Sequence, residues 1–72
     1  MEKVVLLSEI SGSIWQINCK VGDVIESGQE VLVIESMKME IPVVSNIEGT
    51  VNSIFVIAGE MVNEDQKLIE II

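Results

Sequence analysis

The stretch VLVIESMKMEIPVV, residues 31–44, sets one lysine between two methionines in the middle of an apolar run rich in strand-forming residues. A lysine amine is a nucleophile for acyl transfer, but an exposed one is protonated at neutral pH and attacks nothing unaided. Acylation of Lys38 would therefore need an enzyme that removes its proton and presents an activated acyl group. The plainer reading, residue by residue, makes Lys38 a solvated surface charge and sets Met37 and Met39 as fillers of core gaps. Other reactive groups are scarce. The chain has no His and one cysteine, Cys19, which therefore has no internal disulfide partner, no His co-ligand and no catalytic base. Cys19 reads as a small buried apolar residue. Without an acid-base pair, a metal-ligand set or a Gly-rich phosphate loop, the chain is not expected to be a catalyst by itself.

The 72 residues suffice for one small domain, 1–72, with a modest core. Hydrophobic residues make up 49% and charged residues 22%, the balance of a folded globule rather than a disordered chain. Twelve acidic residues against four lysines give a formal net charge of −8. Such a surface repels phosphate backbones and anionic lipid, which sets nucleic acid and membrane aside as partners. No apolar run is long enough to span a bilayer, and no basic segment followed by an apolar one opens the chain. A cytoplasmic protein is expected.

The elements that must position Lys38 come from an internal repeat. Sliding the chain on itself so that Gly12 falls on Gly49 aligns residues 3–35 with residues 40–72 without a gap. Ser8 then falls on Ser45, Ile10 on Ile47, Ile17 on Ile54, Gly22 on Gly59, Gln29 on Gln66 and Ile34 on Ile71. Each half reads as short Val/Ile-rich strands, at about 3–7, 13–19, 23–25 and 30–35 in the first. Gly12 and Gly49 precede strands, and the VGD and AGE segments read as turns whose Gly takes positive φ. Pro42 lacks a backbone donor and belongs at a sheet edge or beside a bulge. One half cannot bury its apolar face alone. The expected fold is all-β, a flattened β-barrel or sandwich of two four-stranded antiparallel sheets with internal quasi-two-fold symmetry, the two halves packed face to face. Ser36, Met37, Lys38 and Met39 are left between the repeats. Lys38 then sits on the hairpin that joins the halves, opposite the paired chain ends, although SMKM lacks the Gly, Asn, Asp or Pro usual in tight turns.

On these residues the chain resembles the biotinyl domains of the biotin/lipoyl attachment family. ESMKMEIP is similar to the family's attachment motif, SGSI and EGTV to its Gly-containing strand starts, VGDVIESGQEVLVIE to the segment before the site, and GEMVNEDQKLIEI to its closing strands. The resemblance implies a barrel-sandwich hybrid fold and covalent biotin on Lys38, added by a biotin protein ligase that reads Met37 and Met39. Glu35 and Glu40 flank the site, either as part of what the ligase reads or as ordinary solvated charges. The implied function is that of a biotin carboxyl carrier, whose cofactor shuttles a carboxyl group between a biotin carboxylase and a carboxyltransferase. The chain departs from the common pattern in having Ser36 where many relatives have Ala, and Glu9, Ile10 and Ser11 where many have a Pro. A protruding thumb and an Ala/Pro-rich linker are missing, which points to the single-domain attachment proteins. Two alternatives stand beside this reading. One is a lipoyl carrier of a 2-oxoacid dehydrogenase complex, although lipoyl domains typically carry Asp-Lys-Ala at this hairpin. The other is an unmodified assembly module of the barrel-sandwich type, which would not need Lys38.

Overall fold

The computed structural model describes residues 3–72. Among them there is no helix, and eight strands follow one another: β1 (Val4–Leu7), β2 (Gly12–Ile17), β3 (Val24–Ile25), β4 (Glu30–Ser36), β5 (Met39–Val44), β6 (Gly49–Ile54), β7 (Met61–Val62) and β8 (Lys67–Ile71). They form two four-stranded antiparallel sheets, ordered β1-β8-β6-β3 and β5-β4-β2-β7. Ile14, Ile25, Leu32, Ile34, Val51, Leu68, Ile69 and Ile71 meet between the sheets in one core. Every buried side-chain polar atom among the described residues has a hydrogen-bond partner.

The all-β sandwich agrees with the sequence reading, but the halves do not each supply one layer. Each sheet takes two strands from each half, because β1 pairs with β8, β2 with β7 and β3 with β6 across the repeat. Within a half, β2 pairs with β4, or β6 with β8, which leaves the remaining strands without a partner of their own. Exchanging those strands satisfies their backbone groups and covers both apolar faces at once, which stacking two separate halves would not do.

The quasi-symmetry extends to single hydrogen bonds. The buried Ser8 and Ser45 donate from Oγ to the carbonyls of Ile10 and Ile47, each at 2.5 Å. Gln29 Oε1 accepts from the Glu26 amide at 2.9 Å, and Gln66 Oε1 from the Asn63 amide at 3.0 Å. Gly22 and Gly59 take φ of 97° and 91°, as the turn reading requires. Pro42 lies on β5, an edge strand, where its missing donor costs no ladder bond inside the sheet. The β1/β8 pair, which joins the two ends of the chain, is the counterpart of the β4/β5 pair that carries Lys38.

Candidate functional site

β4 is the most enclosed strand, with Val31, Leu32, Val33 and Ile34 all buried, and β5 is zipped along its whole length to it. Ser36 pairs with Met39, so only Met37 and Lys38 remain as the loop. Both residues have positive φ, 53° and 64°, the signature of a type I′ two-residue hairpin. Asn-Gly is the usual choice there, because an ordinary side chain in the left-handed region costs about 1–2 kcal/mol per residue. The hairpin keeps Met-Lys despite that cost, and such local strain is characteristic of functional turns.

Lys38 is exposed at the tip. Met37 is 91% exposed and Met39 63%, so neither fills the core, and two large apolar side chains flank the amine in solvent. Glu35 and Glu40 are paired across β4/β5 one row below Ser36 and Met39, both exposed. Two carboxylates directly opposite each other repel, so this pair detracts from the hairpin's own stability. The five residues singled out from the sequence are thus brought together on one two-stranded ribbon.

Gly12 is the positioning residue the sequence reading missed. It opens β2 beneath the hairpin, and a Cβ there would meet the Glu35 carbonyl oxygen at 2.5 Å and Ser36 Cβ at 3.2 Å. The signal was present in the repeat as Gly12/Gly49, but which backbone the glycine admits is a tertiary fact. Cys19 is half-buried at the rim of the core rather than fully enclosed. Burial first, and then the carboxylate of Asp23, push its thiol above the ordinary value. A cleft of about 570 Å³ runs between the edge strands β1 and β5, and its lining does not include Met37, Lys38 or Met39. The hairpin therefore offers an amine on a platform, with the cleft elsewhere.

The family model described as biotin-requiring enzyme matches residues 6–71. A biotin/lipoyl attachment protein of Bacillus subtilis is 44% identical over 63 residues, covering 88% of this chain and 86% of that protein. The human mitochondrial propionyl-CoA carboxylase alpha chain is 39% identical over 93% of this chain, which spans 9% of the carboxylase subunit. A biotin carboxyl carrier protein of Streptococcus mutans is 38% identical over 83% of this chain and 46% of its own length. Among solved structures, the Kluyveromyces lactis urea carboxylase superposes on the whole chain with a TM-score of 0.93 and 33% identity, this chain covering 6% of it. No helix among the described residues is long and apolar enough to cross a membrane. With a family model matched from the first core strand to the last and a close relative matched over most of both lengths, this chain belongs to the biotin/lipoyl attachment family, as a biotin-requiring carrier domain homologous to those of the carboxylases.

Proposed function

We propose that the chain is a biotin carboxyl carrier of the cytoplasm, with residues 1–72 as one attachment domain and biotin joined to Lys38. The observation that carries this reading is the placement of Lys38, an exposed amine at the tip of a two-residue hairpin whose strands are anchored in the core. In the attachment step a biotin protein ligase removes the ammonium proton, and Nζ forms an amide bond to the activated carboxyl as the activating group leaves. When bound, biotin supplies a ureido nitrogen that takes a carboxyl group at a biotin carboxylase and yields it at a carboxyltransferase. The chain contributes position: the hairpin holds the attachment nitrogen clear of the protein surface, so that both partners can reach the arm. Met37 and Met39, exposed next to Lys38 in the chain, are the features the ligase reads, and Glu35 and Glu40 add a local negative field.

Co-expression with a biotin protein ligase should give a streptavidin-reactive chain, and Lys38→Arg should abolish the signal, since guanidinium stays charged and non-nucleophilic. Labelling that persists in Lys38→Arg would overturn the assignment. Intact mass separates biotin from lipoate, the second acyl group that the name of the Bacillus relative keeps in play.

A further inference from the structure

The internal repeat gives each outward-facing residue a counterpart in the same structural setting, so the fold carries its own control for what its surface needs. Trp15 is the extra residue of a bulge in β2, where Trp15 and Gln16 together oppose Val33 on β4. The equivalent bulge in β6 sets Asn52 and Ser53 against Glu70 on β8, and there Asn52 Nδ2 donates to Glu70 Oε2 at 3.0 Å. A polar, hydrogen-bonded pair serves the architecture at this position. On the lysine's sheet the same position holds Trp15, still 49% exposed, beside Val33, which is only 7% exposed. Covering Val33 accounts for the buried half of the indole, but the half left in water has no equivalent at this position of the other sheet, where Asn52 is bonded to Glu70.

Met61, 71% exposed, lies on the same face. It pairs with Ser13, Ser13 with Glu35, and Glu35 with Glu40, so one row crosses the sheet from β7 to β5. Residues paired in an antiparallel ladder point to one face, and four strands span about 14 Å. Trp15 is two residues beyond Ser13 on β2, away from the hairpin. The counterparts of Glu35 and Glu40 are Ile72 and Lys3, which carry no like-charge repulsion. The carboxylate pair, like Trp15, is thus a feature of this face and not of the fold.

We infer that this outer face of the β5-β4-β2-β7 sheet, from Trp15 and Met61 to the Glu35/Glu40 pair, is the surface on which the enzyme that acylates Lys38 docks, through an apolar patch flanked by basic side chains. The inference rests on Lys38 as the attachment residue and adds a footprint to it. Trp is enriched among the residues that carry binding energy and Met among interface residues, and here both are exposed on one face. The Glu35/Glu40 pair calls for a cation, and an Arg fork would relieve its repulsion. A second copy of this chain is a poor occupant, because it would set the carboxylates against one another on a surface of net charge −8.

The test uses purified chain with a biotin protein ligase, biotin and MgATP. Trp15→Asn combined with Met61→Val installs the residues the other half already uses, Asn52 and Val24, and should raise the KM for the chain about tenfold with kcat little changed. Asn52→Trp, the reverse exchange on the opposite sheet, should leave KM at the wild-type value. Ser13→Arg, at the centre of the row, should raise KM in the same way and serves if the double exchange does not fold, with Thr50→Arg as its counterpart. Wild-type KM in the folded double variant or in Ser13→Arg, or a loss confined to kcat, would overturn the footprint while leaving attachment intact. A wild-type chain left unlabelled would overturn the attachment reading itself, and the footprint with it.

Discussion

A Cβ on Gly12 would lie 2.5 Å from the carbonyl oxygen of Glu35, and a Cβ on Gly49 would lie 2.6 Å from the carbonyl oxygen of Ile72. The two contacts are counterparts, but one props the lysine hairpin and the other props the end of the chain. Gly12→Ala and Gly49→Ala should each cost about 1–3 kcal/mol, because strand backbone has to move to admit the methyl group. At a temperature where both variants stay folded, Gly12→Ala alone should slow biotinylation severalfold, since only it shifts Glu35 and Ser36. Equal labelling rates for the two variants would show that hairpin placement does not govern modification.

The methionines separate recognition from stability. Because Met37 and Met39 project into solvent, Met37→Asp with Met39→Ala should leave the urea midpoint nearly unchanged while strongly reducing biotinylation. Met37→Asn goes further, since Asn is favoured where φ is positive and Met37 has φ 53°. It should raise stability by about 0.5–1 kcal/mol and still lower the labelling rate. An Asn variant that is both more stable and labelled at the wild-type rate would show that the ligase does not read Met37.

Much of this was legible in the sequence because repeated residues impose repeated geometry. Gly22 and Gly59, Ser8 and Ser45, and Gln29 and Gln66 take matching roles, and the residues left over between the repeats form the hairpin. The exchange of strands between the halves was not legible, because alternation of Val and Ile fixes which face is buried and says nothing of which strand is the neighbour. The left-handed turn at Met37 and Lys38 was hidden for the opposite reason: its residues contradict local preference, and only the Ser36/Met39 pairing forces it. Trp15 falls within the strand expected at about 13–19, and nothing in its type marks it as exposed; its setting stands out only against Asn52, the counterpart bonded to Glu70.

Cys19 gives a pH-dependent prediction. Its thiol is pushed up by burial and then by Asp23, so as pH rises the unfolded chain ionises first and the folded chain keeps its proton. The stability tied to this thiol is therefore complete below the ordinary thiol range and is lost as pH rises through that range toward the raised folded value. Its counterpart, Val56, is 3% exposed, so Cys19→Val fits the setting the repeat already uses. The variant should match wild type within about 0.5 kcal/mol at pH 7 and lose less stability by pH 10. Urea midpoints at the two pH values check this, and identical alkaline losses would remove Cys19 from the account.

Asp65 and Gly28 occupy equivalent turns, with φ of 69° and 88°. Their amides make equivalent bonds, Asp65 N–H to the Ser8 carbonyl at 2.7 Å and Gly28 N–H to the Ser45 carbonyl at 2.6 Å. The turn thus needs a left-handed residue in both halves, and the second half uses Asp, which tolerates that region better than most side chains but less well than Gly. Asp65→Gly should relieve part of the backbone cost and forfeit some through the freer unfolded chain, for a net gain of about 0.5 kcal/mol. Gly28→Ala should lose about 1 kcal/mol or more, although a Cβ there would meet nothing within 4 Å, because the cost is conformational and not steric. Neither change touches the Lys38 hairpin, so biotinylation should stay at the wild-type rate in both. Urea midpoints decide the backbone argument: a loss in Asp65→Gly would mean that the Asp65 side chain contributes more than its φ costs, and a silent Gly28→Ala would mean that the turn does not need the left-handed conformation.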